Sequence, residues 1–120
     1  MLSDESPLFS KSSDFIDWLL SVTNHFPRSQ RLVITKRLLD AALDFQERLL
    51  EAVHNSFRHQ QSKLDQADSE LDKVRFYLRM AARKQWLNEG QYEHAARMVS
   101  ELGRLLGGWK KGNQRSDTAF

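Results

Sequence analysis

Glu51 and His54 stand three residues apart, a separation that brings a carboxylate and an imidazole to one face of a helix, as in the half-sites of di-iron bundles. A complete site of that kind needs a second Glu-x-x-His pair and two further glutamates on facing helices. The chain offers no second pair, and Glu93 and His94, being adjacent, point in different directions on a helix. His54 therefore reads as a polar residue near a helix end. His25 and His59 fall at or near turns and His94 within a helix, so all three read as solvated. The absence of cysteine removes thiolate chemistry, and the serines gather at prospective helix starts, where capping accounts for them. The expected protein is not an enzyme and holds no metal or cofactor.

The cations are a stronger signal. Arg28, Arg31, Lys36 and Arg37 form one cluster, and Lys73, Arg75, Arg79, Arg83 and Lys84 a second. Arg97, Arg104, Lys110, Lys111 and Arg115 form a third, with only Glu101 inside it. The net charge of +2 conceals this segregation, because the acids gather elsewhere, at Asp40, Asp44, Glu47 and Glu51 and at Asp65, Asp68, Glu70 and Asp72. Guanidinium groups donate bidentate hydrogen bonds to phosphate, so clusters of this kind point to a polyanionic partner such as a nucleic acid. Pairing between helices or between subunits is the alternative use for the same charges. Trp18, Trp86 and Trp109 have π faces on which bases can stack, although core or interface packing is the better account of each. Trp86, beside Arg83 and Lys84, is the one expected to be most exposed.

These residues need a scaffold, and the pattern predicts an all-α one: an antiparallel up-down-up-down four-helix bundle. Phe15, Ile16, Leu19, Leu20 and Phe26 recur at helical spacing, with Ser12, Ser13 or Asp14 as cap and Phe26-Pro27 as terminator. Ser29 caps a second helix that runs to about Phe57. On it Ile34, Leu38, Ala41, Phe45 and Leu49 form one apolar stripe, and Leu39, Ala42, Leu50, Val53 and Phe57 another. A bundle helix needs one such face, so the second suggests packing against another subunit. After a polar connection over 57–62, Ser62 opens the third helix, with Asp65 at capping-box distance. Leu64, Ala67, Leu71, Val74, Leu78 and Ala81 step by threes and fours along it. Asn88-Glu89-Gly90 turns the chain into a fourth helix on which Tyr92, Ala95, Val99, Leu102, Leu106 and Trp109 repeat the same stepping, and Gly107-Gly108 breaks it so that Trp109 folds back. The expected layout is a flexible segment over 1–9, the bundle over 10–111 and a flexible tail over 112–120. Short connections then bring the first two cation clusters to one end of the bundle. The bases opening the second helix oppose its macrodipole, which calls for a compensating partner. No apolar run reaches the roughly 20 residues that span a bilayer, and the amino terminus lacks a cationic signal start, so the expected compartment is the cytoplasm.

Several segments read together resemble the accessory variability determinant (Avd) family of diversity-generating retroelements. They are Phe26-Pro27-Arg28-Ser29-Gln30-Arg31, Ala41-Ala42-Leu43-Asp44, Ala67 to Arg75, Tyr92-Glu93-His94-Ala95-Ala96, and Glu101 to Lys110 with its Gly-Arg-Leu-Leu-Gly-Gly-Trp-Lys close. The resemblance implies a non-catalytic four-helix bundle that assembles as a homopentameric barrel. It also implies binding to the retroelement's reverse transcriptase and template RNA, in support of mutagenic complementary-DNA synthesis and retrohoming. The family's basic surface falls on Arg28, Arg31, Arg37, Arg75, Arg79 and Arg104. Charge position adds Lys36, Arg83, Lys84, Lys110 and Lys111. The alternative is a purely structural oligomeric bundle without nucleic-acid binding, like the proteins encoded in ribosomal-RNA intervening sequences.

Overall fold

Proline at the first position of a helix loses no hydrogen bond, because that N–H has no intrahelical acceptor, and Pro7 opens α1 (Pro7–Val22) in this way. The computed structural model describes residues 6–118, save the side chains of Phe57 and of 114–118. α1 thus begins inside the segment expected to be flexible, and ahead of the expected caps. Leu8 and Phe9 explain the early start, since both are buried in the core, as is Ser12. The rest of that segment, 1–5, lies outside the described residues, as do 119–120 of the expected tail.

Thr23–His25 closes one 3-10 turn, and Phe26 takes the extended conformation that Pro27 demands. A second 3-10 turn, Arg28–Gln30, follows, with the Gln30 and Arg31 amides bonded to the Pro27 and Arg28 carbonyls. Ser29 lies within that turn, so α2 (Ile34–His54) starts later than its expected cap. α2 also ends early. Asn55 donates to the Glu51 carbonyl at 2.5 Å and Gln60 to the Ala52 carbonyl at 2.9 Å, which satisfies the last carbonyls of α2 within a two-residue link. α3 (Phe57–Arg83) accordingly begins before Ser62, and the polar residues expected to form a connection are its first turns.

α3 ends in a Schellman motif, with the Trp86 amide on the Ala81 carbonyl at 2.9 Å and the Gln85 amide on Ala82 at 3.0 Å. Gln85 holds the left-handed position at φ 63°, where glycine is usual. α4 (Glu89–Thr118) opens with a reciprocal capping box. The Gln91 amide donates to Asn88 Oδ1 at 2.8 Å, and the Asn88 amide to Gln91 Oε1 at 2.9 Å. α4 does not break at Gly107-Gly108. Two glycines cost about 1 kcal/mol each in a helix, but Trp109 is buried just beyond them and Asn113 bonds Gln61 at 3.0 Å. Trp109 therefore packs as part of the helix rather than by folding back.

Contacts between helices fix an antiparallel order. Trp18 near the end of α1 meets His94 near the start of α4, with ring centroids 5.2 Å apart, and Gln46 of α2 bonds Ser13 of α1 at 2.9 Å. The described residues form four α-helices and no strand, and α2 and α3 share the most extensive contact. The core is one cluster that includes Leu38, Phe45 and Leu49 of α2, Leu64, Leu71 and Leu78 of α3, and Val99, Leu102 and Leu106 of α4. Much of the second stripe of α2 is absorbed by this same core: Ala42 is buried, and Leu39 and Val53 are half-buried against it. Leu50 remains exposed, with Leu20, Leu32, Val33 and Leu43.

Candidate nucleic-acid interface

Phe26 and Trp86 decide which cations share an end of the bundle. Their ring centroids lie 5.6 Å apart, so the connection preceding α2 packs on the turn that follows α3. Arg28 and Arg31 leave that connection, Lys36 and Arg37 sit in the first turns of α2, and Arg79, Arg83 and Lys84 close α3. All of these are exposed. The first turn of α2 contains no acid. Lys36 has one of its own, Asp40, at 2.5 Å. Arg28, Arg31, Arg37, Arg79, Arg83 and Lys84 have no ion pair among the described residues.

Most of the other candidates are already engaged. Arg75 is held by Asp72 at 2.8 Å. It lies across α4 so closely that a Cβ on Gly103 would come within 2.7 Å of its Nη2. Arg104 grips Glu101 with two donors, at 3.0 and 2.5 Å, which raises the guanidinium pKa and lowers that of the carboxylate. Lys73 pairs with Glu70, and Arg97 with Glu93. At the far end Lys110 bridges Asp65 and Asp68, both at 3.0 Å. Burial lowers the Lys110 pKa, but hydrogen bonds to the two carboxylates outweigh it and the net shift is upward. Lys111 is exposed with no ion pair among the described residues, and the side chain of Arg115 lies outside them.

Glu51 of the Glu-x-x-His pair faces cations. Lys63 lies 2.7 Å and Arg48 3.3 Å from its carboxylate, and the Lys63 ammonium holds its pKa below the usual range. Among the described residues no group of three acids, histidines or cysteines is placed to hold a metal. Among the described residues no helix is long and apolar enough to cross a membrane.

Trp86 is half-buried against Phe26, and Trp109 is in the core. Among the described side chains, the aromatic face open to solvent is that of Phe76, 45% exposed. Its signal was in the sequence: Phe76 falls between Val74 and Leu78, out of phase with the core stepping of α3.

Residues 8–113 match the model of the bAvd-like family. The chain belongs to that family. No curated protein matches this bAvd-like chain. Among solved structures, a protein of unknown function from the S23 ribosomal protein family of Bacteroides thetaiotaomicron is similar, at 22% identity and a TM-score of 0.79. The alignment covers 87% of the bAvd-like chain and 98% of the other. Likeness at that identity is a likeness of fold.

Proposed function

We propose that this protein is a non-enzymatic, cytoplasmic accessory factor of a diversity-generating retroelement. It binds template RNA through the cation-rich end of its bundle, engages the reverse transcriptase, and so supports mutagenic complementary-DNA synthesis and retrohoming. Family membership supports the setting. The carrying observation is the group Arg28, Arg31, Arg37, Arg79, Arg83 and Lys84, gathered at one end and without carboxylate partners among the described residues. Bases at the start of α2 oppose its macrodipole, and phosphate oxygens would supply the missing negative charge. Assembly as a homopentamer would multiply that surface fivefold. The exposed Leu20, Leu43 and Leu50 on α1 and α2 are apolar area available for contacts between subunits.

The test is a salt series of RNA titrations on the native protein and on the double variant Arg79→Glu/Arg83→Glu. Native affinity should fall steeply with added salt, as counterion release requires, and the variant should bind at least about tenfold more weakly with unchanged helical content. Equal affinity of the two proteins, or indifference to salt, overturns the reading. The alternative, a purely structural oligomer, predicts no RNA binding at any salt.

A further inference from the structure

Between α3 and α4 runs an open groove of about 510 Å³, lined by Phe76, Arg79, Ala82, Arg83 and Tyr92. It continues along the helix pair into a smaller recess of about 150 Å³, where Arg75, Arg79 and Tyr92 are joined by Leu78, Val99 and Ser100. Phe76, Arg79 and Arg83 are spaced i, i+3, i+7, so they form one stripe of α3. Within this stripe the two arginines lack ion pairs among the described residues, whereas Arg75 at its start is neutralised by Asp72. The groove thus presents one solvent-facing aromatic ring followed at successive turns by two available guanidinium groups.

We infer that this groove is a subsite for unpaired RNA, in which a base stacks on Phe76 while the adjoining phosphates lie on Arg79 and Arg83. The inference rests on the RNA-binding reading above and adds the form of the nucleic acid. Two features favour a single strand. A base paired within a duplex keeps its π face covered by its neighbours, whereas an unpaired base can swing onto an aromatic side chain. Three residues, just under one helical turn, separate Phe76 from Arg79, about 4.5 Å along the axis, which suits a nucleotide whose base and phosphate are gripped side by side. Tyr92, half-buried on the opposite wall, closes the groove and presents a second ring. Packing among the described residues gives Phe76 little to do: it lies outside the core cluster, and its one ring contact among them is edge-on to its neighbour Tyr77 at 5.2 Å.

The test compares unstructured oligouridine with a fully paired RNA duplex of equal length, by fluorescence anisotropy over a salt series. Phe76→Ala should weaken oligouridine binding roughly five- to hundredfold, the range expected for one stacked base. Its salt slope should stay unchanged, and so should its duplex affinity. Phe76→Trp, which keeps a π face, should restore binding, and Phe76→Leu, apolar but without one, should not. Arg79→Ala should lower the slope by about 0.7, one phosphate contact on a single strand. If Phe76→Ala binds oligouridine as the native protein does while Arg79→Glu/Arg83→Glu does not, the groove is not a stacking site and the broader RNA reading stands. If the double variant also binds normally, both fall. If Phe76→Ala changes the oligomeric state and leaves oligouridine affinity intact, the groove is a protein contact and the inference fails.

Discussion

Both ends of this bundle carry clustered cations, and they use them in opposite ways. At the end where α2 finishes and α3 starts, Glu51 faces Lys63 and Arg48, and Lys110 reaches from α4 to Asp65 and Asp68 on α3. Those charges tie helices together. At the other end Arg28, Arg31, Arg37, Arg79, Arg83 and Lys84 face solvent without ion pairs among the described residues, although the first turns of α2 are an electrostatically poor place for bases. Cation count alone therefore does not mark an interaction surface. What separates Lys63 and Lys110 at one end from the arginines of the other is whether a described carboxylate supplies the opposite charge, with Lys111 and the Asp40-paired Lys36 as the exception at each end.

The paired end depends on α4 passing through two glycines, and Trp109 is the residue that makes this worthwhile. Replacing Trp109 with alanine should cost about 3 kcal/mol in denaturant unfolding, as for other buried aromatics. A loss under about 1 kcal/mol would mean that α4 ends at Gly107 in solution and that the paired end is not closed.

Exchanging the roles of the two ends is the sharpest functional contrast. Arg79→Glu/Arg83→Glu should reduce RNA affinity by on the order of tenfold or more and leave the unfolding midpoint nearly unchanged. Lys110→Ala should do the reverse, leaving RNA affinity intact and costing about 1 kcal/mol of stability, an exposure-discounted figure for a partly shielded bridge. RNA affinity that falls equally in both variants would erase the distinction between the ends.

The paired end should also respond to pH at both extremes. Glu51 has a lowered pKa in the fold, so its contribution is present above the unfolded value and is lost as pH falls through the folded one, below the usual carboxylate range. Lys110 has a raised pKa, so its contribution is present below the unfolded value and is lost as pH rises through the folded one, above the usual lysine range. Thermal unfolding across pH should show both limbs, and Lys110→Ala should remove the alkaline one alone.

Sequence and structure agree best where periodicity is strong. Leu64, Ala67, Leu71, Val74, Leu78 and Ala81 are all buried, as the stepping of threes and fours requires. Helix ends were harder to read. Ser62 and Asp65 look like a capping box, yet the operative one is Asn88 with Gln91, whose amide side chain does the same work as a glutamate. Gly107-Gly108 reads as a stop only when glycine's local cost is weighed without the burial of Trp109 beyond it. In the candidate site, cation positions were plain in the sequence, but availability was not. Arg75 and Arg104 each have an acid three residues earlier in the chain, whereas Arg79 and Arg83 do not. The exposure of Phe76 follows from its phase, yet Trp86 drew attention through its size and its basic neighbours.

The smallest expected effects concern backbone positions, and they separate the two ends once more. At the open end Gln85 holds a left-handed conformation that costs a non-glycine residue roughly 1–2 kcal/mol, offset in part by the entropy glycine would lose. Gln85→Gly should therefore stabilise the protein by about 0.5 kcal/mol. At the paired end the same residue exchange should run the other way. Apart from its chain neighbours and its own helix backbone, no described atom lies within 4 Å of a Cβ built at Gly108, so Gly108→Ala should stabilise the helix by about 0.5–1 kcal/mol through propensity alone. Gly103→Ala differs from both, because its new methyl meets the guanidinium of Arg75 at 2.7 Å. That side chain is flexible at its far end, so it should swing aside at little cost to stability, freeing Arg75 from its seat on α4. If Gly103→Ala then strengthens RNA binding in anisotropy titrations, Arg75 is a cation withheld from the open end by packing; if affinity is unchanged, the division between available and engaged arginines holds as the ion pairs draw it.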